Sequence, residues 1–266
     1  MPIRILQSKH NAHLKQLRRA LERPARLGDE ADTLIAVEGP KLVEEALRAR
    51  LPIACLFAAH ELSWMGDKLR LPNSIEVLYA ERELLASVLS TESPQPVAAL
   101  VHPPEPVNFL DTEAPILVLA GIQDPGNLGT IARSAEAFGA AGIIALPGTV
   151  SPWNGKAIRA SAGSLFRLPM LSLPLDEAVA ALRNAGYKLW TTAVNEEAHP
   201  VSAPLAPLSG RVALVIGNEG RGVPEEVALS CDGALTIPCP GPVESLNASV
   251  AASILLYEAA RQRIVR

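Results

Sequence analysis

The chain has 266 residues and a formal net charge of −4 at neutral pH. Hydrophobic residues make up 48% of it and charged residues 20%, which supports a globular protein with a real core and excludes a disordered or low-complexity chain. The net negative charge excludes binding of nucleic acid by bulk electrostatics, and the length allows two domains of ordinary size.

Local charge tells more than the sum. Between residues 1 and 26 the cations are Arg4, Lys9, Lys15, Arg18, Arg19, Arg23 and Arg26, against the single acid Glu22. This excess is either an RNA contact or the solvated face of a basic amphipathic helix. Helical patterns such as GPKLVEEALRAR then alternate with the apolar runs IACLFA, IEVLYA and PVAALV, which predicts a small α/β domain. The stretch VHPPEPVNFLDTEAP carries Pro103, Pro104, Pro106 and Pro115 and reads as an interdomain linker. The expected organisation is a domain over residues 1–105, a linker over 106–115 and a second domain over 116–266.

After the linker come the apolar runs ILVLAG, GIIAL, KLWTTAV, VALVIG and ALTIP, with the helical patterns LGTIARSAEAFG, DEAVAALRNAG and SVAASILLYEAARQR among them. Short apolar strands separated by helices predict a mostly parallel sheet covered on both faces. Cys55, Cys231 and Cys239 form no CxxC pair and have no histidine cluster beside them, so neither a metal site nor a disulfide framework is expected. No stretch approaches the ~18 uninterrupted apolar residues of a membrane span, and the N-terminus lacks a signal-peptide core. A cytoplasmic protein is expected.

Three segments place Gly, Asn, Ser or charged residues just past a predicted strand, the edge where open α/β sheets bind ligands. In IQDPGNLGTIARSAEAFG, Pro125 and Gly126 punctuate a turn, Asn127 is positioned to cap the next helix, and Arg133 lies within that helix. In LVIGNEGRGVP, Gly217, Gly220 and Gly222 give the spacing GxxGxG beside Glu219. That is not the GxGxxG dinucleotide fingerprint, so a nicotinamide-dependent oxidoreductase is a weak alternative. In TIPCPGPVESLNASVAASILLYE, a Pro- and Gly-rich loop enters a long apolar helix near Ser245, Leu246 and Asn247, where the Ser or the Asn serves equally as a helix cap.

In order and spacing, DPGNLGTIARSAEAFG, LVIGNEGRGV and IPCPGPVESLNASVAASILLYE resemble the three motifs of the SpoU or TrmH branch of the SPOUT RNA methyltransferases. KAIRASAGSLFRLP, residues 156–169, is similar to a further stretch of that branch, and the N-terminal part looks like its ribosomal-protein-like substrate-binding domain. The resemblance implies an α/β domain threaded as a deep trefoil knot, S-adenosylmethionine as cofactor and a homodimer with active sites near the subunit interface. It implies cofactor contacts at Gly217, Ile237 and Leu246, and substrate handling or catalysis at Asn127, Arg133, Glu219, Ser245 and Asn247.

The activity so implied is methylation of a ribose 2′-hydroxyl in structured RNA, with ribosomal RNA preferred over transfer RNA because a separate domain offers reach into a folded substrate. Transfer to a base, and a knotted RNA-binding protein without activity, remain alternatives. None of His10, His13, His60, His102 and His199 lies in the motifs. Deprotonating a free Arg near neutral pH would cost about 7 kcal/mol, so Arg133 is expected as a clamp on phosphate or alkoxide rather than as the base.

Overall fold

The short Val-, Leu- and Ala-rich runs form strands and the longer 3.6-periodic stretches form helices. A computed structural model of the protein describes residues 4–29, 33–62, 71–72, 75–91, 95–193, 198–201, 208, 210–243 and 245–264. They divide into two units, one of Met1–Glu105 with Ser151–Arg167 and the other of Pro106–Val150 with Leu168–Arg266.

The first unit runs β1 (Arg4–Leu6), α1 (Ala12–Glu22), β2 (Ile35–Glu38), α2 (Pro40–Arg48), β3 (Ile53–Ala59), β4 (Glu76–Ala80), α3 (Arg82–Ala86) and β5 (Val97–Val101). Its sheet has the order β1-β4-β3-β5-β2, with β1, β4 and β3 parallel and β5 antiparallel to both β3 and β2. Asn11 opens α1 by accepting from the His13 amide at 2.9 Å. Leu14 and Leu17 of α1 are buried in a core with Leu6, Phe57, Leu78 and Leu100. The same helix leaves Lys15 and Arg19 exposed, followed by exposed Arg23 and Arg26, so the basic excess lies on the face away from the core.

The segment 151–167, which the sequence leaves inside the C-terminal domain, packs with the first unit. It contains α5 (Gly155–Ser161) and a 3-10 turn at Ser164–Phe166, and buries Trp153, Ile158, Leu165 and Phe166. Arg167 pairs with Glu45 at 2.6 Å, and Arg159 with buried Glu38 at 3.4 Å. Glu38 also accepts from the Ser90 amide and hydroxyl at 2.5 and 3.1 Å, so its buried charge is met by three donors.

The second unit runs β6 (Ile116–Ala120), α4 (Pro125–Ala137), β7 (Gly142–Ala145), β8 (Met170–Ser172), α6 (Leu175–Asn184), β9 (Lys188–Thr192), β10 (His199–Pro200), β11 (Val212–Gly217), α7 (Glu225–Leu229), β12 (Gly233–Thr236) and α8 (Ala248–Ile264). The strand order is β10-β12-β9-β11-β6-β7-β8 and every described pairing is parallel. Central β6 and β11 are buried along their whole lengths, which is why both read as unbroken apolar runs. From β6 the chain steps out to β7 and β8 on one side, while β9 through β12 fill the other. The order therefore reverses between β6 and β11, and a crevice forms beyond their C-terminal ends.

Residues 106–115, read from sequence as a linker, lie on the second unit. Phe109 is buried against Gly142, and the Tyr187 hydroxyl reaches the carbonyls of Thr112 and Ala114 at 2.8 and 3.2 Å. Helices α4 and α8 run side by side in the same direction. Ser134 and Ser253 share a hydrogen bond at 2.7 Å, Phe138 and Tyr257 stack edge-on at 5.9 Å, and Arg263 donates to the carbonyls of Phe138 and Gly139 at the end of α4. A methyl group at Gly142 would sit 2.6 Å from the Phe109 ring. Gly142→Ala should therefore lower the stability of this unit by ~1–3 kcal/mol, checked by thermal unfolding, and pairing it with Phe109→Leu should recover part of the loss.

Candidate active site

Strand β6 ends at Ala120, and Gly121 turns the chain with φ +78. Asp124 then caps α4, its carboxylate accepting from the amides of Gly126 and Asn127 at 2.5 and 3.1 Å. The cap is thus Asp124 and not Asn127, which lies inside the first turn with its side chain free for another partner. Pro125 at the first helical position lacks only an amide that the helix start leaves unused.

That partner is Glu219. Strand β11 ends at Gly217, and the chain folds back on itself through paired backbone bonds between Asn218 and Gly222, both at 2.9 Å. A Cβ at Gly217 would lie 2.2 Å from the Gly222 carbonyl carbon, so the turn itself requires glycine there. The turn carries the Glu219 carboxylate to Asn127, whose Nδ2 donates to Oε1 at 2.8 Å. Burial pushes the Glu219 carboxyl up, but the Asn127 hydrogen bond and the amides of Glu219, Asp124 and Gln123 outweigh it and hold the group below its ordinary value. Glu219 is an ionised acceptor.

The third segment closes the cluster. Asn247 caps α8, its Oδ1 accepting from the amides of Ser249 and Val250 at 2.9 and 3.4 Å and from the Ser249 hydroxyl at 2.7 Å. Its Nδ2 donates to Asn127 Oδ1 at 3.1 Å. Asn247 therefore both caps α8 and bonds to Asn127. The result is a directed chain of amides, Asn247 to Asn127 to Glu219, across the crevice where the sheet order reverses.

The structure does not bring the other two expected residues into this chain. Ser245 is exposed and makes no hydrogen bond among the described residues. Arg133 is exposed on α4 without a described ion pair, and six residues at about 100° each turn it well away from Asn127. Gly217 is buried at the end of β11, whereas Ile237 and Leu246 are half-buried, and residues 238–243 and 245 between them are exposed. Of the described residues from Cys239 to Asn247, none donates its amide to a protein acceptor. Such a loop has its hydrogen-bonding groups available to a ligand, as a backbone-read nucleoside requires. No group of His, Cys, Asp and Glu suited to a metal occurs among the described residues.

Sequence reasoning missed three participants. Asn218 sits beside Glu219 in the turn, Thr149 accepts from the Gly121 amide at 3.2 Å, and Asp124 supplies the cap. Only Asp124 carries a local signal, an Asp-Pro pair ahead of a helical pattern. The other two follow from which strands lie next to each other.

A parallel sheet with its site at the switch point, built from amides and one carboxylate on three loops, defines a ligand-binding α/β enzyme domain. The profile of the SpoU rRNA Methylase family matches residues 114–257, and that of the MRM3-like substrate binding domain matches residues 11–99. The chain belongs to the SpoU rRNA methylase family. It is 36% identical over 223 residues to the 23S rRNA (guanosine(2553)-2′-O)-methyltransferase RlmP of Bacillus subtilis, covering 83% of this chain and 86% of that protein. The AdoMet-bound rRNA methyltransferase of Sinorhizobium meliloti superposes with a TM-score of 0.83 at 27% identity, over 97% of this chain and 98% of that one. The SpoU methyltransferase AviRb of Streptomyces viridochromogenes, in complex with AdoMet, superposes with a TM-score of 0.79 at 29% identity, over 96% and 99% of the two chains.

Gly217→Ala should force the turn away from β11 and release Glu219 from Asn127. The expected readouts are a loss of ~1–3 kcal/mol in stability and a rise of the Glu219 carboxyl toward its ordinary value, followed by carboxyl-carbon NMR titration.

Proposed function

We propose that this protein transfers a methyl group from S-adenosylmethionine to a ribose 2′-hydroxyl of ribosomal RNA. The observation that carries the reading is the joining of Asn127, Glu219 and Asn247 into one hydrogen-bonded unit at the sheet reversal. The 2′-O-methyltransferase activity of the relative from Bacillus subtilis and the AdoMet in two structural neighbours support it. S-adenosylmethionine, when bound, supplies an electrophilic methyl on a sulfonium. Gly217 and the residues between Ile237 and Leu246 would hold it, the latter through backbone amides that donate to no protein acceptor among the described residues.

The protein's own part is placement and charge. Glu219, kept ionised, accepts a hydrogen bond from a sugar hydroxyl and fixes its direction, and Asn127 and Asn247 hold that carboxylate still. Positioning of this kind supplies much of the acceleration in a displacement that needs in-line approach. A carboxylate held below its ordinary value is a weak base, so Glu219 orients the hydroxyl rather than stripping its proton. Arg133 clamps a phosphate or the developing alkoxide, and Ser245, exposed beside the loop, contacts the RNA.

The same reading includes a homodimer and a knotted C-terminal domain. Helix α8 buries Ala252, Leu255, Leu256 and Ala259 while Val250 and Tyr257 stay exposed at 46% and 55%. Together with Thr130, Phe138, Ser253 and Ile254 they line an open apolar groove between α4 and α8. A second copy of the chain is its occupant, and Arg133, close to Thr130 on α4, then stands at the interface rim. Support for the knot is the return of the chain at Asn247 to the start of α4 after β11 and β12 have been laid down. The first unit is the RNA-binding domain, reached through the exposed basic face of α1 and followed by the residues 106–115 that enter the second unit. No described helix is long and apolar enough to cross a membrane, and a ribosomal RNA substrate supports the reading of a cytoplasmic protein.

Mapping of 2′-O-methyl sites in ribosomal RNA with and without the gene should reveal one position that disappears and returns with wild type but not with Glu219→Gln. An unchanged map would overturn the assignment. An internal probe tests the cofactor loop: burial pushes the thiols of Cys55 and Cys231 up to about 11, whereas Cys239 is exposed two residues past Ile237. Iodoacetamide at pH 8 should modify Cys239 first, and S-adenosylhomocysteine should slow that reaction at least several-fold. Equal rates with and without the ligand would place the cofactor elsewhere.

A further inference from the structure

Asn218 stands between the two loops that form the site, and its side chain uses its full hydrogen-bonding capacity. Nδ2 donates to the Gly121 carbonyl at 2.9 Å and to Glu219 Oε2 at 3.2 Å. Oδ1 accepts from the amides of Gly220 and Arg221 at 3.0 and 3.2 Å. The two halves of the amide therefore do different work. The acceptor half stabilises the turn in which it lies, as any Asn or Asp in such a turn does. The donor half reaches outside the turn to the backbone just beyond β6, and within it to the carboxylate of the next residue.

We propose that Asn218 is a positioning residue, whose donor half holds the Glu219 carboxylate and the loop after β11 in register with the loop after β6. Gly121 is itself anchored, its amide donating to Thr149, so the bond from Asn218 ties the turn to a fixed point. Asn218 and Asn127 then grip the two oxygens of Glu219 from opposite loops, 3.2 Å from one and 2.8 Å from the other. A carboxylate gripped at one oxygen swings about that bond; gripped at both it has one orientation. The other charged groups of the two loops are Asp124, which caps α4, and Arg221, whose side chain is exposed.

The proposal rests on the reading of Glu219 as part of the methyl-transfer site, and the variants separate the two. Asn218→Asp keeps the size and the acceptor half but replaces the donor with a second carboxylate beside Glu219. If only the turn matters, Asn218→Asp keeps wild-type activity and Asn218→Ala does not. If donation matters, Asn218→Asp is the worse of the two, and its single-turnover methylation of ribosomal RNA, with RNA and S-adenosylmethionine saturating, falls about 100-fold, the scale of a small misplacement of a reacting group. Its acid limb moves to higher pH, because Glu219 has lost a donor and gained a like charge.

Glu219→Gln is measured beside them, and Asn218→Ala combined with Glu219→Gln should be no slower than Glu219→Gln alone. Should Asn218→Asp fail to fold, Asn218→Ala and this double variant carry the test. Wild-type rate in Glu219→Gln would overturn the reading of Glu219 and the proposal with it. A slow Glu219→Gln beside an unaltered rate and acid limb in Asn218→Asp would overturn the proposal alone, as would losses from Asn218→Ala and Glu219→Gln that simply multiply.

Discussion

Asn127 has one amide with a donor end and an acceptor end, and the site depends on both ends being used at once. Its Nδ2 reaches Glu219, 92 residues away in sequence, and its Oδ1 receives Asn247, 120 residues away. Each bond fixes the direction of the next, so the amide has no second orientation that satisfies both partners. A network of this kind is rigid only when every member is satisfied, and here the capping carboxylate of Asp124 and the amide of Asn218 complete it. The arrangement is preorganised, which is what a reaction governed by placement requires.

The backbone beneath that network has little freedom. Gly217 is paired with Ala120 at the ends of β11 and β6, and the turn that follows returns so closely over Gly217 that no side chain fits there. Pairing of two buried parallel strands sets the height of both loops, and the tight turn sets how far Glu219 projects. Parallel pairing also leaves the C-terminal strand ends together, so loops distant in sequence emerge side by side. The location of the site is therefore a property of strand order before it is a property of any one side chain.

Charge is distributed with similar economy. Burial opposes the ionised form of Glu219, yet amide and backbone donors outweigh it without any cation in the network. That leaves Arg133, exposed and turned away from Asn127, available for groups outside the chain. In the first unit the opposite solution holds: Glu38 is buried and meets Arg159 together with Ser90, so segment 151–167 is pinned by a charge that would be costly to leave unpaired.

Much of this was legible in the amino-acid sequence. Apolar runs located the strands of the parallel sheet because strands buried on both faces carry no alternation to obscure them. The motifs around Asn127, Glu219 and Asn247 stood out because Gly, Pro, Asn and Asp mark strand ends wherever they occur. Tertiary structure decided what those residues do. Sequence offered Asn127 as a helix cap, but the cap is Asp124, and Asn127 bonds across the sheet instead; both residue types cap equally well, so composition had no means of choosing. Sequence gave no sign that Asn218 and Thr149 would meet on Gly121, since that follows from β11 and β7 flanking β6. It likewise left residues 151–167 with the domain in which they are encoded, although Glu38 and Glu45 hold them in the first unit. Local pattern determines which element a residue enters, because helix and strand periods are set by near neighbours. Which atoms meet across a hundred residues is settled only when the strands are ordered.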